Sequence, residues 1–103
     1  MRSFKNIATL VRIKRAGHPE NYSQSDLSLL LGYKNGQFIS NVERGLCSVP
    51  LKMMKKISKV LGITPDELIA AILKDHEVTL LNYFPPATAK KTLLKDIEKL
   101  DEI

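Results

Sequence analysis

Cysteine is almost missing from this chain of 103 residues: Cys47 stands alone. An internal disulfide is thereby excluded, and one cysteine with two histidines, His18 and His76, cannot supply the ligand cluster of a zinc module. No apolar run approaches the ~18–20 residues that span a bilayer. The basic start (Met1-Arg2-Ser3-Phe4-Lys5-Asn6) is followed by charges at Arg12, Lys14 and Arg15, which is not the pattern of a signal peptide. An alternating β pattern and an internal repeat are both absent, and at 11.6 kDa the chain is too small for the two-lobed clefts of most metabolic enzymes. No motif supports nucleophilic or metal chemistry: pairing Asp26 with His18, or Ser23 with His76, has no sequence basis. These absences lead us to expect one small domain with room for an appendage, in a reducing intracellular setting. They also lead us to expect no enzyme activity, cofactor, metal or membrane partner.

What the chain does have is charge, unevenly placed. Residues 1–62 hold eleven Lys and Arg against three Asp and Glu, whereas residues 63–103 hold five against eight. A basic first part joined to a mildly acidic tail points to a polyanion-binding half followed by a half with another task.

Breakers divide the chain into helical segments. Ile7, Leu10, Val11 and Lys14 recur at helical spacing, which predicts a helix over 4–16 ending near Gly17, with 18–21 as a polar loop. Ser23 followed by Asp26 reads as a helix start, with Leu27, Leu29, Leu30 and Leu31 as its apolar run and Gly32 as its C-cap. Asn35 is a suitable N-cap for a third helix over 36–44, with Phe38, Ile39 and Val42 as apolar positions and Gly45 as the stop. Pro50 opens a fourth helix, with Met54, Ile57, Val60 and Leu61 inward and Gly62 at its end. Thr64-Pro65-Asp66-Glu67 is the strongest local signal: a cap, a proline at the first helical position and a glutamate that closes a capping box. The helix it starts carries Leu68, Ile69, Ile72 and Leu73 and runs to about Leu81. Pro85-Pro86 forces a break, and Thr88 begins a last helix whose Leu93, Ile97 and Leu100 form a narrow apolar stripe. The predicted fold class is all-α, with a domain over 1–81 and a linker and tail helix over 82–103.

Two short helices joined by a glycine-containing turn, the second polar on its outer face, make the helix-turn-helix plan. Blocks across the chain agree with one family in order and spacing. They are Ser23-Gln24 with Leu27, Leu31-Gly32, and Ile39-Ser40-Asn41-Val42-Glu43-Arg44-Gly45, followed by Ile57, Leu61-Gly62-Ile63 and Asp66-Glu67-Leu68. Over residues 7–73 the chain resembles the Xre/Cro-repressor family of helix-turn-helix proteins. The resemblance implies a five-helix, lambda-repressor-like domain that binds double-stranded DNA and regulates transcription. Two departures stand out: Gly32-Tyr33-Lys34-Asn35-Gly36 makes the turn about one residue longer than usual, and the loop between the first two helices is also long. Gly36 stands where relatives often carry a base-reading polar side chain.

Counted from Asn35, the residues Gln37, Ser40, Asn41 and Arg44 fall along one side of the third helix, while Ile39 and Val42 turn inward. Amide side chains in a major groove pair bidentately with adenine N6 and N7. Gln37 and Asn41 are therefore the expected sequence readers, with Ser40 auxiliary. Phe38 has two readings: contact with a thymine methyl, or packing on the turn or a neighbouring helix. Gln24 matches the family's backbone-gripping glutamine, at a helix start whose free N–H groups favour an anion. Lys34, Asn35 and Arg44 are expected to hold phosphates, and Lys52, Lys55 and Lys56 either extend that strip or form a solvated face. Arg15 and Glu43 match a pair that in relatives forms an internal salt bridge. Cys47, His18 and His76 are expected to do no chemistry, and Met53 and Met54 to fill core space. Leu93, Ile97 and Leu100 are expected to dimerise or dock the tail; a homodimer places two recognition helices about 34–36 Å apart on a pseudo-palindrome. The expected protein is a dimeric repressor in a bacterial or phage-infected cytoplasm, at the nucleoid. The alternative is an antitoxin-like protein whose tail binds a partner protein. A bundle that has lost DNA binding is disfavoured by the presence of Gln24, Gln37, Asn41 and Arg44 on one face.

Overall fold

The apolar positions spaced three and four apart before residue 84 fall on helices. A computed structural model describes residues 2–84; the expected tail helix, with Leu93, Ile97 and Leu100, lies outside the described residues. Among the described residues there are five helices and no strand: α1 (Lys5–Ala16), α2 (Gln24–Leu30), α3 (Gln37–Glu43), α4 (Leu51–Leu61) and α5 (Pro65–Tyr83). Their inward residues build one core: Ile7 and Val11 from α1, Leu27 and Leu31 from α2 and its end, Ile39 and Val42 from α3, Ile57 and Leu61 from α4, and Leu68 from α5. Val49 and Ile63 from the connecting loops complete it. Each such side chain, fully buried, contributes about 1.5–3 kcal/mol. Not every apolar residue turns inward. Leu29 and Leu30 of α2, and Ile69 and Leu73 of α5, remain exposed, because their neighbours at helical spacing already fill the single buried stripe.

Two helices carry their own caps. Ser23 Oγ accepts from the Asp26 N–H at 2.9 Å while Asp26 accepts from the Ser23 N–H at 3.0 Å, which closes a capping box on α2. Thr64 and Glu67 do the same for α5, at 3.1 Å in both directions. The amide of Ser23 holds Asp26 below the ordinary carboxylate range; the amide of Thr64, aided by Lys14, does the same for Glu67. Both caps are therefore charged at neutral pH, and their stabilisation is lost only as the pH falls through these lowered values.

The other helices near the N-terminal half borrow acceptors. No side chain caps α1 at Phe4, and its first turn has no acid. Its free N–H groups are met instead by Asp75 of α5, which is only 4% exposed. The carboxylate of Asp75 accepts from the Asn6 N–H at 2.7 Å, the Ile7 N–H at 2.9 Å and the Asn6 side chain at 3.0 Å. Thr79, one turn on, accepts from the Ser3 N–H at 2.8 Å and donates to the Asp75 carbonyl. An anion at the positive end of a helix is well placed, so this contact fastens α5 along α1.

In α3 the helix starts at Gln37, with Gly36 rather than the expected Asn35 as N-cap; Asn35 still serves, since its side chain accepts from the Gln37 N–H at 2.9 Å. The buried Ser28 of α2 accepts from the Ile39 N–H at 3.2 Å and so caps α3 from across the turn. At the end of α2, Gly32 lies just beyond the C-cap Leu31 and adopts φ +94°, which L side chains rarely reach. The chain then reverses, with the Tyr33 N–H bonded to the Ser28 carbonyl at 3.0 Å and the Gly32 N–H to that of Leu29 at 3.0 Å. α5 runs to Tyr83, two residues past the expected end.

Replacing Asp75 by Ala strands two first-turn N–H groups of α1. Denaturant unfolding should show a loss of about 2–3 kcal/mol, and Asp75→Asn, which keeps an acceptor, should lose less. Equal stability of Asp75→Ala and wild type would mean that α1 does not depend on this cap.

Candidate nucleic-acid interface

The polar face of α3 is built from its i, i+3 and i+4 positions. With Ile39 and Val42 fully buried, Gln37 and Arg44 are exposed and Ser40 and Asn41 half-exposed. Gln37 Nε2 donates to Asn41 Oδ1 at 2.7 Å, so the two expected readers lie side by side, one turn apart. Each amide keeps a free N–H and a free acceptor lone pair after that bond, the pair of groups that a bidentate contact to adenine requires. Phe38 lies flat on Tyr33, with ring centres 4.1 Å apart and planes 10° apart, and both rings pack on the core. Of its two sequence readings, this is packing on the turn.

Gly36 has a steric role. A Cβ there would lie 2.7 Å from Ser25 Oγ, closer than real side chains come, and 3.1 Å from Ser25 Cα and N, tighter than most. The start of α3 thus rests directly on the first turn of α2, and a larger residue would require Ser25 to give way.

At the other end of α3, the Glu43 carboxylate ties three helices together. Arg15 Nε donates to one carboxylate oxygen, and Arg15 Nη2 donates to the other at 2.9 Å. Gln24 Nε2, from the start of α2, donates to that second oxygen at 3.2 Å. Arg15 also donates to the Tyr22 carbonyl at 3.1 Å, which closes the long loop after α1. The Glu43 side chain is 4% exposed and that of Arg15 18%. The hydrogen bond to Glu43 outweighs partial burial and raises the Arg15 pKa above its ordinary value, so the guanidinium stays charged. Gln24 is thereby oriented while keeping its carbonyl and second N–H free.

The remaining residues singled out from sequence fall into two groups. Lys34 and Asn35 are exposed in the turn beside the start of α3, Arg44 is exposed at its end, and Lys52, Lys55 and Lys56 are exposed on α4. Lys14, by contrast, pairs with Glu67 at 3.1 Å. Cys47 packs against the core, and burial raises its pKa, which keeps it a thiol near neutral pH. His18 stacks on Tyr22 with centroids 4.8 Å apart and accepts from the Glu20 N–H, so it organises the loop. Met53 and Met54 pack on the core. Among the described residues no group of three or more His, Cys, Asp or Glu could hold a metal ion, and no helix is long and apolar enough to cross a membrane.

Two residues, Ser28 and Asp75, and one contact were not foreseen from sequence. Ser28 lies between Leu27 and Leu31 on the inward side of α2, a position that signals burial but not its partner. Asp75 acts across 68 or more residues and has no local signature. The bond from Gln24 to Glu43 is likewise long-range.

Removing Glu43 leaves Arg15 partly buried without a counter-ion. Glu43→Ala should cost about 2–4 kcal/mol, between exposed and fully buried pairs, and Arg15→Ala with Glu43→Ala together should cost less than the sum. Strictly additive losses in a double-mutant cycle would refute the coupling. A family model described as helix-turn-helix matches residues 11–68, more than half of the chain. No curated protein and no solved structure matches significantly. The matching family comprises DNA-binding regulatory domains, not enzymes. By its fold, the face of α3 and this match, the chain belongs to the helix-turn-helix family of Xre/Cro type, the DNA-binding regulators of transcription.

Proposed function

We propose that the protein is a repressor that binds a pseudo-palindromic operator as a dimer, reading bases through α3. The observation that carries this reading is the bonded amide pair Gln37–Asn41 on the exposed face of α3, held by a helix whose other side is buried. Gln37 and Asn41 read bases, and Ser40 assists. Gln24, Lys34, Asn35 and Arg44 hold the phosphates on either side, which sets register without specifying sequence. Occupancy of a promoter is sufficient for repression, and no effector pocket is needed for it.

A dimer is supported by arithmetic. One seven-residue recognition helix gives few base contacts, each worth about 1–3 kcal/mol of discrimination, whereas two helices on one face of the duplex double them. The apolar stripe Leu93, Ile97 and Leu100 is assigned to that pairing, and Leu80, Tyr83 and Phe84 at the end of α5 add exposed apolar surface of their own. The site of action is the nucleoid of a bacterial cell, or of one carrying a phage.

Selection from random duplex DNA at about 150 mM salt tests the whole reading, because non-specific phosphate attraction is weak there. The expected product is an inverted repeat with half-sites about 34–36 Å apart, one turn of the helix. A single unrepeated site would remove the dimer. No enriched sequence would remove base reading and favour the antitoxin-like alternative, in which residues 82–103 bind a partner protein. On the selected operator, Gln37→Ala and Asn41→Ala should each flatten preference at one or two base pairs, at a cost of about 1–3 kcal/mol against the preferred base. Uniform weakening on every sequence would instead assign these amides to the backbone.

A further inference from the structure

The outer flank of α1 carries cations that the face of α3 does not account for. Lys5 and Arg12 are seven positions apart, two helical turns, and so leave α1 on the same side. That side meets the end of α3. Lys5, Thr9 and Arg12 from α1, with Glu43, Arg44 and Gly45, line one open groove. Lys5, Arg12 and Arg44 are exposed, and among the described residues none of them is in an ion pair. Glu43, the acid in this groove, is already engaged by Arg15 and Gln24. The Thr9 hydroxyl donates to the Lys5 carbonyl at 2.9 Å, so the polar contacts left open belong to the three cations.

Three uncompensated positive charges around one groove repel one another, and a bound anion relieves that repulsion. A phosphodiester fits the chemistry: it carries one negative charge and two free oxygens that a guanidinium can bond in parallel. The groove also has a fixed place relative to α3, because the Arg15–Glu43 pair locks α1 to the end of that helix. The stretch that follows, Leu46 to Leu51, contains no Lys or Arg, so α1 is the neighbour that brings positive charge to Arg44.

We propose that the groove between α1 and the end of α3 seats a backbone phosphate of duplex DNA, with Lys5 and Arg12 as ligands beside Arg44. This rests on α3 being the helix that faces DNA. It extends the phosphate grip from the recognition helix onto α1, at the opposite end of α3 from Lys34 and Asn35. An acidic protein surface is the other class of ligand for such a groove, and the test separates the two.

Binding of the full-length chain to the selected operator and to an unrelated duplex is measured across salt from about 50 to about 300 mM. Arg12→Gln and Lys5→Gln are compared with Lys74→Gln, a charge-matched change on the exposed side of α5. Each groove variant is expected to lower the slope of log K against log salt by about one unit and to weaken both duplexes about tenfold near 150 mM salt. Lys74→Gln is expected to keep the wild-type slope. Groove variants that match Lys74→Gln would overturn the phosphate seat, leave the reading of α3 intact and point to an acidic protein instead. A loss confined to one duplex would also overturn it, because phosphate carries no sequence. A wild type without salt-dependent duplex binding would overturn both.

Discussion

The Glu43 carboxylate is the constraint on which the candidate interface depends. A charge that is 4% exposed is costly unless it is paired and hydrogen-bonded, and the chain meets that need with side chains from two other helices. Arg15 comes from the last turn of α1 and Gln24 from the first residue of α2. One buried anion therefore sets where α1, α2 and α3 stand relative to one another. The end of α3 is thereby tied to both other helices.

Such a tie matters because α2 and α3 have seven residues each. Helices of that length are unstable alone in water, since nucleation is costly and few hydrogen bonds repay it. Their stability comes from burial of Leu27, Leu31, Ile39 and Val42 and from caps. Gly36 contributes by having no side chain, which lets the start of α3 sit against Ser25. A side chain at this place would crowd Ser25 at the start of α2.

Acidic residues in the first 62 positions are few, and two of the three are engaged within the fold. Asp26 caps α2 and Glu43 binds Arg15 and Gln24. The basic side chains are mostly left uncompensated: Lys14 and Arg15 have acidic partners, while Lys5, Arg12, Lys34, Arg44 and the lysines of α4 have none among the described residues. The positive field of this half follows from how the acids are used as much as from the composition, and it is the kind of field that draws a polyanion.

Much of this was legible in the sequence, for a physical reason: the signals were local. Helical spacing of apolar residues, the boxes Ser23–Asp26 and Thr64–Glu67, and glycines after helix ends act within a few residues of one another. They marked the five helices to within two residues, and the resemblance marked Arg15 with Glu43. The tertiary structure alone decided the rest, because it depends on partners far apart in the chain. Nothing near Phe4 shows that α1 is capped by Asp75, and nothing near Gln37 shows that Ser28 caps α3. The apolar run of α2 did not reveal that Leu29 and Leu30 stay in solvent. Phe38 had two readings in the sequence, and the neighbouring Tyr33 ring chose between them. Local chemistry determines where a helix begins and ends; which face it shows, and what holds that face still, is determined by the helices packed against it.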